Sequence, residues 1–226
     1  MCFDFSKFDK NKYLVGTEEG KIHLCSKAYS GQYIETYEGH YLAVYAVKWN
    51  KYHERVFLSC SADWTVKMWD CTIKKPIMTF DLGCAVGDIE WAPYSSTVFA
   101  TVTSSGMLYI YDLKQGKHTY LCEHQTLKKA KGLHVSFNPV DPIILVGDER
   151  GGVNSFKLSG NLVIGKRRLI VGPMQPPKVE DDAKEHKGAG KGPAQQEEPK
   201  EPKVTSEKLE ADKMEEILSK QDKDLY

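Results

Sequence analysis

Over roughly the first 160 residues, apolar and polar positions alternate in short runs, each broken by a few turn-forming side chains. In Thr65-Val66-Lys67-Met68-Trp69, Val66 and Met68 fall on one face of an extended segment while Thr65, Lys67 and Trp69 fall on the other. Leu58-Ser59-Cys60-Ser61 is a second short run, and Ala62-Asp63-Trp64 separates the two. Together they predict a β-hairpin whose second strand closes on an aromatic.

The same pattern recurs at a fixed period. Residues placed at the end of a first strand, Phe5, Trp49, Trp91 and Phe137, lie 44, 42 and 46 positions apart. Those placed at the end of a third strand, Cys25, Trp69, Tyr111 and Phe156, lie 44, 42 and 45 apart. Two agreeing registers define four copies of one unit, which is the signature of a repeat architecture. The units cover residues 1–38, 39–81, 82–122 and 133–165. Unit one predicts strands at 2–5, 13–17, 21–25 and 33–37; unit three predicts them at 89–91, 98–103, 107–112 and 118–121. Unit four predicts strands at 143–147 and 153–158, with a last outer strand at 161–164.

Gly39-His40 opens unit two and Trp69-Asp70 ends its third strand. This arrangement resembles a WD-repeat blade, and the resemblance implies an all-β fold of four β-propeller blades belonging to a larger ring. On that reading the chain is the C-terminal half of a longer propeller, and the outward faces of blades one and four are sticky. The resemblance also implies that His40, Ser59, Asp63 and Trp69 form a buried hydrogen-bonded chain. A Ser-His-Asp set invites a hydrolase reading too, but a buried indole N–H and a buried carboxylate both need partners, so the structural use is the default. Only unit two carries the full signature, which leaves the network in doubt for the other three.

Beyond residue 165 the periodicity stops. Six of the ten prolines lie between 173 and 202 with no aromatic among them, so 166–205 is expected to be a disordered, charged, Pro-rich linker. Gly188-Ala189-Gly190-Lys191-Gly192 lacks the strand and the Ser or Thr of a phosphate loop. Residues 206–226 predict a short amphipathic helix: Ser206 can cap it, and Ala211, Met214, Ile217, Leu218 and Leu225 form one stripe. Such a helix serves either to dock a partner or to pack back on the blades.

Composition narrows the function classes. The formal charge is zero, with 10 Lys and Arg against 14 Asp and Glu from Pro173 onward and 21 against 17 before it, so neither part argues for nucleic acid. No run has the length of a membrane span. The six cysteines include no Cys-x-x-Cys pair, which favours free thiols in a reducing compartment. Lys128-Lys129-Ala130-Lys131 reads as a solvated loop or, less simply, as a phosphate contact. No acidic pair, nucleophile elbow or ligand cluster marks a catalytic, cofactor or metal site.

Four stretches sharpen the resemblance: Val15-Gly16-Thr17-Glu18-Glu19-Gly20-Lys21-Ile22, Trp49-Asn50 followed by Tyr52-His53, Val56 to Lys67 with the Ser-x-Asp-Trp-Thr-Val-Lys-x-Trp core that ends at Trp69, and Ala85 to Pro93. They are similar to the C-terminal propeller of axonemal dynein intermediate chains. That likeness implies a non-catalytic subunit of outer-arm dynein in the cilium or flagellum axoneme. It would dock on the dynein heavy chain and a second dynein intermediate chain, and associate with microtubules through the complex. Light-chain binding is not predictable from this portion. The alternatives are another WD-repeat adaptor, for ciliary transport or as a ubiquitin-ligase substrate receptor, and a propeller enzyme. Trp64 stands where ordinary blades place Gly, which makes it a candidate interface residue or a cover for the adjoining blade.

Overall fold

The computed structural model describes residues 2–29, 31–116, 118–126, 130–159 and 206–222. They form four antiparallel sheets and one helix. The first sheet is β1 (Cys2–Phe5), β2 (Lys12–Gly16), β3 (Lys21–Ser26) and β4 (Glu35–Glu38). The second is β5 (Val44–Trp49), β6 (Val56–Ser61), β7 (Thr65–Asp70) and β8 (Met78–Asp81). The third is β9 (Val86–Trp91), β10 (Val98–Thr103), β11 (Met107–Asp112) and β12 (Cys122–Gln125). The fourth holds β13 (Gly132–Phe137), β14 (Ile143–Asp148) and β15 (Val153–Lys157). Strands follow one another in sequence order within every sheet, as meanders do.

The constant spacing of the sequence anchors has a geometric cause. Trp49 and Trp69 both pair with Phe57, one on each side, so the three rings form a row across the second sheet. Trp91 and Tyr111 flank Phe99 in the third sheet, Phe5 and Cys25 flank Tyr13 in the first, and Phe137 and Phe156 flank Ile144 in the fourth. Phe57 stacks on Trp69 at 6.0 Å between ring centroids and Phe99 on Tyr111 at 4.9 Å, within the range where aromatic pairs attract.

Each innermost strand packs on the next, β1 on β5, β5 on β9 and β9 on β13, so the sheets stand side by side in chain order. Apolar faces between neighbouring sheets are buried. The outward faces of the first and last sheets are not: Phe3 and Val153 are each 68% exposed.

The outer strand of the third sheet falls later than the sequence pattern placed it, at Cys122–Gln125 instead of 118–121. Asp112 explains the shift. Its carboxylate and carbonyl accept N–H groups from Lys114, Gln115 and Gly116, building a wide turn before the chain can return. Glu123 to Gln125, read from sequence as loop, therefore pair with β11. The fourth sheet has three strands among the described residues. The strand expected at 161–164, the linker at 166–205, Lys128, Lys129 and Leu225 lie outside them.

The helix α1 (Ser206–Asp222) rests where the second and third sheets meet. Its Met214, Ile217 and Leu218 enter the same cluster as Val56, Trp91 and Phe99.

Candidate functional site: the loop end of the second sheet

The turn between β6 and β7 brings four of the sequence-predicted residues together. Trp69 Nε1–H donates to Ser59 Oγ at 2.8 Å, and Ser59 Oγ lies 2.7 Å from His40 Nε2. The Asp63 carboxylate can only accept, so the proton of the neutral imidazole sits on Nδ1, 2.9 Å from Asp63 Oδ2. Nε2 is then an acceptor, and the Ser59 hydroxyl donates to it. Asp63 also accepts from the Thr65 hydroxyl at 2.7 Å and from the backbone N–H groups of Tyr41 and Thr65, both at 3.1 Å. Every polar group of the chain has a partner.

Burial is the largest influence on His40 and holds its pKa below the ordinary imidazole range, against the pull of Asp63, so the ring is neutral. Burial works to raise the Asp63 carboxyl, but the hydrogen bonds from Thr65, from His40 and from the Tyr41 N–H outweigh it, and its pKa lies below the usual carboxylate value. Ser59 is fully enclosed with both ends of its hydroxyl committed, so it faces no substrate. The set holds the hairpin in place; it does not present a nucleophile.

Trp64 occupies the tip of this turn and points outward, 54% exposed. Its φ is 73°, the left-handed region, and no other described non-glycine residue has a positive φ. The matching turns of the other sheets use Gly20, Gly106 and Gly151, with φ of 85°, 78° and 83°. Tyr41 and Leu42, on the segment leading into β5, and Tyr45 near the start of β5 are also exposed. Tyr41 is held beside the turn by its N–H bond to Asp63.

Two carboxylates that the sequence pattern did not single out tie one sheet to the next. Asp4 on β1 accepts the Trp49 N–H at 2.8 Å, and Asp88 on β9 accepts the Val135 N–H at 3.1 Å. Burial raises both carboxyls, with the backbone donors acting in opposition. The shared signal was an acid on the innermost strand of a unit, Asp4 one position and Asp88 three positions before the anchor aromatic, and that differing offset hid it. Among the described residues no group of His, Cys, Asp or Glu could hold a metal, and all six cysteines are free thiols. No described helix is long and apolar enough to cross a membrane.

The four meander sheets and the His40–Ser59–Trp69 chain define the class: these are WD-repeat propeller blades. The WD domain, G-beta repeat family matches residues 31–70. The chain is 57% identical over 164 residues to the ciliary dynein intermediate chain 2 of Heliocidaris crassispina, covering 71% of this chain and 23% of that protein. It is 47% identical over 184 residues to the 78 kDa intermediate chain of the flagellar outer arm dynein of Chlamydomonas reinhardtii, covering 80% and 26%. Against dynein axonemal intermediate chain 1 of Bos taurus it is 56% identical over 163 residues, covering 71% and 23%. The chain belongs to the WD-repeat family of axonemal dynein intermediate chains, proteins of the ciliary and flagellar axoneme. It spans about a quarter of the length of these relatives.

Proposed function

We propose that the blades act as a non-catalytic scaffold of outer-arm dynein, docking on the heavy-chain tail and on a second intermediate chain, with microtubule contact made through the complex. The observation that supports this reading is Trp64. A bulky L-residue in the left-handed region costs stability, and strain of this kind is retained where a site uses it. Trp is also the residue type most enriched at energetic centres of interfaces. The neighbouring Tyr41 and Leu42 extend the exposed apolar surface around it.

The test is capture of heavy chain from ciliary extract by the tagged full chain and by its Trp64→Gly variant. The expected result is heavy chain co-sedimenting with the unaltered protein and a loss of tenfold or more with the variant. Capture of a transport complex or a ubiquitin ligase without heavy chain would overturn the proposal in favour of a different adaptor.

A further inference from the structure

The connections on the side of the sheets opposite Trp64 form a seat, and α1 lies in it. The β5–β6 connection and the β9–β10 connection are clamped together without help from the helix. Asn50 Nδ2 donates to the Ser96 carbonyl at 2.8 Å, and the Tyr52 hydroxyl donates to the Pro93 carbonyl. The seat is thus formed by the blades themselves, and it is preorganised for an occupant.

Its chemistry is specific for a carboxylate. Glu210 is buried on the helix, and its carboxylate accepts the Ser96 N–H at 2.9 Å while lying 3.2 Å from Ser96 Oγ and 3.4 Å from Ser95 Oγ. The Ser96 hydroxyl also meets the Glu210 carbonyl at 2.6 Å, and Lys213 closes the far side as an ion pair. One turn further on, Met214 enters the apolar floor, followed by Ile217 and Leu218. Glu215 reaches Arg55 Nη2 at 3.1 Å and His53 Nε2 at 3.4 Å at the open rim.

We infer that this seat is a binding site for acidic amphipathic helices, that α1 is its resident occupant in cis, and that a partner helix of the pattern Glu-x-x-x-Met-Glu-x-Ile-Leu competes for it. The buried contacts are confined to residues 210–218, so the helix engages through about half its length. Most helical stability in proteins comes from packing of an apolar face, and the apolar face of α1 lies on the seat. Release therefore melts the helix and leaves a preformed site empty. The covalent tether raises the local concentration of α1 at the seat, so an external helix has to outcompete it. The site lies across the sheets from Trp64 and does not depend on the motor-scaffold reading.

The test uses the full chain and a fluorescent synthetic peptide of residues 204–222, read by anisotropy. Met214→Asp in the full chain unseats its own helix, so that chain is expected to bind the peptide at least tenfold more tightly than the unaltered protein. A peptide carrying Glu210→Lys is expected to lose that gain. Leu218→Asp, made in parallel, preserves the readout should Met214→Asp lower the melting temperature of the sheets. Equal affinity of unaltered and unseated chains, or binding indifferent to Glu210→Lys, would overturn the inference.

Discussion

Ser59 donates its one proton to His40 and accepts the Trp69 N–H. Ser59→Ala strands the Trp69 N–H and His40 Nε2 in a sealed site, at ~1–3 kcal/mol for each unpaired buried group. Thermal melting should fall accordingly, and a change below about 0.5 kcal/mol would remove the network from any part in stability. Trp64→Gly acts in the opposite sense. Relief of the left-handed conformation returns roughly 1–2 kcal/mol, against about 0.5–1 kcal/mol of added backbone entropy in the unfolded chain. Melting temperature should hold or rise while heavy-chain capture drops; a marked fall would make Trp64 a packing residue. His40 adds a pH dependence whose sign is fixed. Its folded pKa lies below 6.5, so the unfolded chain takes up a proton more readily. The stability it contributes is present above 6.5 and is lost as pH falls through 6.5 toward the folded value. Asp63, lowered from 3.8, adds stability lost only in stronger acid. Asp4 and Asp88 are common to both proteins and cancel when the unaltered chain is compared with His40→Asn. The stability gap between the two should narrow from pH 7.5 to 5, and a constant gap would mean that the imidazole is not held neutral.

At the level of the strand row, the second and third sheets use Trp where the first and fourth use Phe. The two indoles are not equivalent. Trp91 Nε1–H donates to the Lys48 carbonyl at 3.1 Å, joining the third sheet to the second, whereas the buried Trp49 Nε1 has no partner among the described residues. Trp49→Phe removes an unsatisfied donor along with some ring area; Trp91→Phe removes a hydrogen bond that joins two sheets. Urea unfolding should show Trp91→Phe costing about 1 kcal/mol more than Trp49→Phe, the size of one net hydrogen bond. Equal costs would mean that ring area alone decides at both positions. The legibility of each element in sequence follows the same logic. The rows were visible because a residue paired on both sides fixes a constant distance along the chain. The hairpin network is expected only through the resemblance to a WD-repeat blade, whose motif residues here sit on one hairpin and a nearby Gly-His. β12 was misplaced because its position depends on how many N–H groups Asp112 gathers, which alternation does not encode. The Glu210 contact was hidden for a further reason: a carboxylate in the first turns of a helix satisfies the helix itself, so its other partners, more than a hundred residues away, leave no local trace.

The described residues bury three apolar seams between four sheets, and none of them covers the two outward faces. Phe3 and Phe5 lie exposed at one end, and Leu145 and Val153 at the other. The exposed positions of β1 are both aromatic, Phe3 and Phe5, whereas on β15 Val153 shares the exposed face with Ser155 and Lys157. Exposed apolar side chains of this kind favour association. The two ends differ from each other, so contact between them is head-to-tail and continues from copy to copy without closing unless the rotation happens to complete a ring. Sedimentation velocity of the full chain at micromolar concentration should therefore show species that grow with concentration. Phe3→Glu alone should remove most of the association, because one blocked end suffices to stop head-to-tail growth, and Val153→Lys should do the same from the opposite face. Both substitutions lie on exposed positions and should leave the unfolding free energy within about 0.5 kcal/mol of the unaltered chain. A protein that remains monomeric across the concentration series, or one whose assemblies ignore both changes, would show that neither face is an interface.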